Sequence, residues 1–171
     1  PATSVLGEPC KRDTAPCIGL AAFLVQREDP EATMVVMPAD HLISPAEIFR
    51  ETIEHAAQLV DSTPERIVTI GIRPGYAAES FGYIERDQLL DPGHPDEPAT
   101  YRVKQFREKP TSSQAQQYLE SGNFYWNSGI FVWKAKTIMS LLERFEPSMY
   151  GHLSAIVDAI ESPVFPQVFS E

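Results

Sequence analysis

The side chains best able to do chemistry in this sequence sit in five short strings. In VVMPADHLI (35–43) an apolar run ends on Asp40 and His41. A carboxylate there suits a hard cation such as Mg²⁺, which takes one or two protein carboxylates and fills its other positions with water and substrate oxygens. It equally suits a helix N-cap or a turn. His41 either orients Asp40 and its loop or is a satisfied structural histidine. In FREKP (106–110) Glu108 can accept hydrogen bonds from hydroxyl groups and Lys109 offers a mobile point charge for phosphate; an exposed ion pair ahead of Pro110 is the plain alternative.

In WNSGIF (126–131) Asn127 and Ser128 are polar residues between Trp126 and an apolar run. Polar groups at a core edge need partners, which a sugar ring or a local backbone bulge at Gly129 would supply. ESFGYI (79–84) carries Gly82, where backbone can approach a ligand or simply turn, followed by Tyr83. GEPCKRDTAP (7–16) gathers Glu8, Lys11, Arg12 and Asp13 ahead of a predicted helix N-terminus, a natural anion site. Glu8, an acceptor when ionised, suits the adjacent N–H and NH₂ of a guanine edge. A charged surface loop is the competing reading.

The elements that must position these residues alternate. A helix is predicted over 13–28, capped by Asp13 or Thr14 with Pro16 in its first turn, and its nearly all-round apolar middle predicts burial. ATMVVMPAD follows as a strand without polar alternation, which predicts a central parallel strand covered on both faces. A helix over 44–60 carries a Ser44/Glu47 capping box with Pro45 at its first helical position. Further strands are predicted at 66–72, 82–86, 101–106 and 129–133. Residues 73–82 read as a loop and 87–100, with three prolines and several acids, as a mobile excursion. A helix over 111–122 has a Thr111/Gln114 capping box and stops at Gly122; amphipathic helices follow over 134–145 and 148–160. The alternation predicts an α/β fold with a mostly parallel central sheet flanked by helices. Such sheets bind ligands beyond the carboxyl ends of their strands, where Asp40 and His41 would lie.

The chain has 171 residues, enough for one domain over 1–171 with a sizeable core. Its net charge of −10, from 24 acidic and 14 basic residues, disfavours nucleic acid and anionic membrane as bulk partners. It leaves room for a phosphorylated small molecule held by a few local cations or a metal. No apolar run approaches the roughly 20 residues of a membrane span. Cys10 and Cys17 read as reduced packing residues, and a cytoplasmic setting fits. Homo-oligomerisation is compatible with the sequence.

Taken together and in this order, GEPCKRDTAP, VVMPADHLI, TIGIRPGYAAESFGYIE, VKQFREKP and YWNSGIFVW resemble the bacterial mannose-1-phosphate guanylyltransferases, a family of sugar nucleotidyltransferases, over most of residues 5–135. The resemblance implies a Rossmann-like nucleotidyltransferase fold and a reaction joining GTP and mannose 1-phosphate into GDP-mannose and pyrophosphate with Mg²⁺. It implies that Asp40 binds the metal and that Asp40 and Lys109 serve catalysis. Glu8, Arg12 and Thr14 would meet the nucleotide. Gly82, Tyr83, Glu108, Asn127 and Gly129 would form the sugar pocket, with Lys109 on the sugar phosphate.

Three departures accompany the resemblance. The family's opening Gly-Gly-x-Gly-x-Arg-Leu phosphate loop has no match here, nor has its second, downstream metal-binding aspartate, and Asp13 replaces a usual Asn. The chain therefore reads as an incomplete domain, and residues 1–171 alone are not expected to catalyse. Two rival readings follow: another sugar-1-phosphate nucleotidyltransferase, such as a glucose 1-phosphate thymidylyltransferase, and a non-catalytic sugar-nucleotide-binding regulator.

Overall fold

The computed structural model describes residues 5, 7, 8, 12–93 and 98–170. The chain divides into two compact units. The first comprises residues up to Met34 together with Trp133 onward, and is helical. It contains α1 (Thr14–Glu28), α4 (Ala135–Phe145), α5 (Pro147–Ala159) and α6 (Phe165–Ser170). Leu20 and Phe23 of α1 are buried against Leu153 and Val157 of α5, with Leu142 and Met139 of α4 packed alongside. Gly19 permits this close approach: a Cβ there would come within 2.5 Å of Leu153 Cδ1 and 2.9 Å of Leu142 Cδ1. Arg27 Nη1 donates to the Val157 carbonyl at 3.1 Å, and Lys134 Nζ donates to the Glu31 carbonyl at 2.9 Å.

The second unit, Val35–Val132, holds most of the sheet. The strands are β1 (Thr33–Val36), β2 (Val68–Ile72), β3 (Tyr83–Asp91), β4 (Thr100–Arg107) and β5 (Phe124–Lys134). Their order is β1-β5-β3-β4, with β2 also pairing β5. The pairs β2–β5, β3–β4 and β3–β5 all run antiparallel. The expected mostly parallel sheet is therefore corrected to an antiparallel one. An apolar run such as VTIGI reports that a strand is covered, not which way its neighbour runs. Helix α2 (Ala46–Ser62) covers part of the sheet, with Ala56 and Val60 buried against Val132, Val68 and Ile70.

Other expectations shift as well. Strand β1 is not covered on both faces: Met34 is buried, but Val35 is 41% exposed. The excursion expected at 87–100 is partly strand, since β3 runs on to Asp91 and pairs Leu89 with Tyr101 and Asp91 with Thr100. Strand β5 is longer than GIFVW and contains the whole WNSG string. The Thr111/Gln114 capping box forms at the start of α3 (Ser112–Ser121), and Gly122 ends that helix at φ +66°. The Ser44/Glu47 box does not form. The cap position of α2 is Pro45, which has no N–H for Glu47 to receive. Cys17 is a free, exposed thiol rather than a packing residue, and Cys10 lies outside the described residues.

Candidate active site

Strand β3 lies between β5 and β4, so its first residues touch both flanking motifs. Tyr83 is opposite Arg107 on β4 and opposite Trp126 on β5. One step outward, Gly82 therefore sits between Glu108 and Asn127. A Cβ on Gly82 would lie 3.3 Å from Glu108 Oε2, 3.6 Å from Asn127 Cβ and 3.7 Å from the Arg107 carbonyl. The Asn127 amide N–H donates to the Gly82 carbonyl at 2.8 Å, fixing the spacing. Three residues distant in sequence are thus gathered at one sheet end by register alone.

Asn127 keeps hydrogen-bonding capacity. Its Oδ1 accepts from the Gly129 N–H at 3.1 Å, a local bond that shapes the strand, while its Nδ2 has no partner among the described residues. Gly129 takes φ +71°, where the β2–β5 register shifts. Only glycine adopts that conformation at little cost. The Pro38 ring faces Gly129, its Cγ 3.5 Å from where a Cβ would stand. This contact seats the loop bearing Asp40 beside β5. Asp40 and His41 are both exposed.

Lys109 holds φ +31°, an unusual backbone for a residue with a side chain, immediately before buried Pro110. Such conformations persist where the surroundings impose them, and they cluster at functional sites. Trp126 meets Tyr76 and Phe81 edge-on at centroid distances of 5.0 and 5.1 Å. Its Nε1 is buried and has no acceptor among the described residues. Sequence reasoning passed over Tyr76 and Phe81; the signal was two aromatics in the otherwise polar 73–82 loop.

Two residues serve the frame. Tyr83 is fully buried, and its hydroxyl donates to the Ala78 carbonyl at 2.9 Å and accepts from the Ala78 N–H at 3.0 Å. Its side chain is core, so any contact with a ligand falls to its backbone. Buried Ser128 finds its partners in the backbone: Oγ donates to the Ile70 carbonyl at 2.6 Å and accepts from the Ile130 N–H at 3.1 Å. No sugar is needed to satisfy it. Between β3 and β4, the Lys104 ammonium at 2.6 Å and then the Gln105 amide hold the Glu85 carboxyl below its usual range.

Glu8, Arg12 and Thr14 belong to the helical unit, Glu8 and Arg12 exposed and Thr14 opening α1. The Asp13 side chain makes no cap bond to that helix. Among the described residues no three His, Cys, Asp or Glu side chains gather to enclose a metal. Asp40 suits Mg²⁺ as a single protein carboxylate, the cation keeping its other positions for water and substrate oxygens. No described helix is long and apolar enough to cross a membrane.

A carboxylate and an amide, with a lysine next in sequence to the carboxylate, can hold a hydroxyl-rich, anionic ligand. Residues 2–165 match the family model described as nucleotidyl transferase. A mannose-1-phosphate guanylyltransferase 2 from Escherichia coli O157:H7 is 40% identical over 152 residues, covering 86% of this chain and 31% of its own length. A mannose-1-phosphate guanylyltransferase from Klebsiella pneumoniae is 38% identical over 160 residues, covering 93% and 33%. The chain thus spans about a third of these relatives. A Thermus thermophilus crystal structure described as a mannose-1-phosphate geranyltransferase matches with a TM-score of 0.77 at 28% identity, over 96% of this chain and 45% of that one. A Helicobacter pylori structure described as mannose-6-phosphate isomerase matches with a TM-score of 0.70 at 30% identity, over 89% and 53%. By its match along nearly its whole length, the chain belongs to the nucleotidyl transferase family.

Proposed function

We propose that the chain forms part of a mannose-1-phosphate guanylyltransferase, transferring GMP from GTP to mannose 1-phosphate and releasing pyrophosphate. The observation that carries this reading is the convergence of Gly82, Glu108 and Asn127 at one sheet end. Glu108 accepts hydrogen bonds from mannose hydroxyls, Asn127 Nδ2 donates to another, and Gly82, lacking a side chain, lets the Glu108 carboxylate sit close to its backbone. Lys109 pairs with the sugar phosphate. Glu8 reads the guanine edge, with Arg12 and Thr14 near the nucleotide.

A phosphate oxygen of mannose 1-phosphate attacks the α-phosphorus of GTP. The bond from that phosphorus to the bridging oxygen of the β-phosphate breaks, and pyrophosphate leaves. Asp40 would hold Mg²⁺, which would supply neutralisation of phosphate charge. This chain's residues orient the nucleophile and screen the repulsion between two anions. No side chain needs to form a covalent intermediate. A cytoplasmic setting, where GTP is made and used, fits this reading.

The test is pyrophosphate release by the full-length protein. Release should require GTP, mannose 1-phosphate and Mg²⁺ together, and Asp40→Asn should reduce it by at least about tenfold. Silence of the parent under these conditions, or equal release with glucose 1-phosphate and dTTP, would overturn the assignment. Undiminished activity in Asp40→Asn would return Asp40 to the role of a turn residue.

A further inference from the structure

Away from the Gly82 end, a cavity of about 710 Å³ opens among α2, β2, β3 and β4, within the range typical of small-molecule sites. A second cavity of about 320 Å³ shares Arg73, Arg86, Tyr101 and Tyr125 with it. Charge on the lining runs against the rest of the molecule. The chain carries 24 acids to 14 bases, yet Arg66, Arg73, Arg86 and Arg102 line the larger cavity with a single carboxylate, Asp91.

These guanidinium groups are underused. Arg73 and Arg102 have no ion pair or side-chain hydrogen bond among the described residues. Arg66 reaches only the Leu59 carbonyl, at 3.3 Å. Arg86 lies over the Tyr101 ring, 4.6 Å from its centroid, and its buried Nε has no acceptor among the described residues. A buried N–H left in this state costs stability until an acceptor arrives. The remaining lining is largely apolar side chains of α2 and β2, with Tyr101 and Tyr125 as flat walls.

We propose that this cavity is a second binding site, separate from the Gly82 cluster, for a nucleotide. Arginine forks match phosphoryl oxygens in pairs, and the tyrosine and apolar walls match a base. The anion would supply the acceptor that Arg86 Nε lacks. The inference does not rest on the guanylyltransferase reading.

Arginine labelling by phenylglyoxal, mapped by mass spectrometry on the full chain, tests it. GDP at roughly millimolar concentration should slow labelling of Arg73 and Arg102 by about threefold or more, while Arg50, outside the cavity, reacts unchanged. Protection should persist in the triple variant Glu8→Ala/Arg12→Ala/Lys109→Ala, and adding Arg73→Gln and Arg102→Gln to it should weaken GDP binding by calorimetry about tenfold or more. No protection at Arg73 and Arg102 would overturn the proposal. So would protection that vanishes in that triple variant, which would trace it to the residues of the proposed active site. Equal protection by inorganic phosphate at the same concentration would overturn the nucleotide assignment.

Discussion

Lys109 carries a cation on a backbone that disfavours its side chain, at φ +31°. A residue with a Cβ loses about 1–2 kcal/mol in the left-handed region. Glycine removes that strain but loses about 0.5–1 kcal/mol through the freedom it gains when unfolded. Lys109→Gly should therefore leave stability unchanged or raise it by up to about 1.5 kcal/mol in urea unfolding, while pyrophosphate release falls. A loss of stability would show that the lysine side chain itself supports the fold. Glu85 makes a separate prediction. Its carboxyl is held low by Lys104 first and Gln105 second, so its contribution is present above the unfolded-state value and lost as pH falls through the folded one. Unfolding midpoints taken from about pH 7 down to about pH 3 should fall more steeply in the wild type than in Glu85→Gln; parallel curves would dismiss the effect.

Among the elements, α3 depends most plainly on its cap. The Thr111 N–H donates to Gln114 Oε1 at 3.0 Å, and Thr111 Oγ1 accepts from the Gln114 N–H at 3.5 Å. Thr111→Ala should cost about 1 kcal/mol in chemical denaturation, and Thr111→Ser should restore most of it. This helix was legible because all its signals are local. The Thr-x-x-Gln spacing, the apolar positions and Gly122 all lie within the one stretch 111–122. The direction of the sheet was not legible, because β2 finds its partner far along the chain in β5, and an apolar run carries no mark of that partner. The end of β3 was hidden for a related reason. DQLLD looks like a loop until Tyr101 and Thr100 pair with it across the sheet. At the site, Glu108, Asn127 and Gly82 could each be picked out by residue type. Their convergence could not, since it depends on β3 lying between β4 and β5.

On the scale of the whole molecule, each unit keeps its own core. The helical one centres on Leu20, Phe23, Leu153 and Val157, and the sheet-bearing one on Ala56, Val60 and Val132. Leu153 is 5% exposed and fills the groove that Gly19 leaves open. Leu153→Ala should destabilise the helical unit by about 2–5 kcal/mol, read as faster amide exchange in α1 and α5. Unchanged exchange there would mean that the cavity collapses without loss. The overall charge of −10 says little about where anions bind, because the basic residues are unevenly distributed, with four arginines on one cavity.

The Tyr83 hydroxyl grips both the N–H and the C=O of Ala78, tying the loop before β3 to a fully buried ring. Tyr76 and Phe81 in that loop are 57% and 41% exposed, so chymotrypsin can find them, yet a protease must first draw several residues into its cleft. The native chain should therefore resist cutting at Phe81. Tyr83→Phe releases the tether without emptying the core and should open that bond to cleavage; equal digestion of the two forms would show the loop free already.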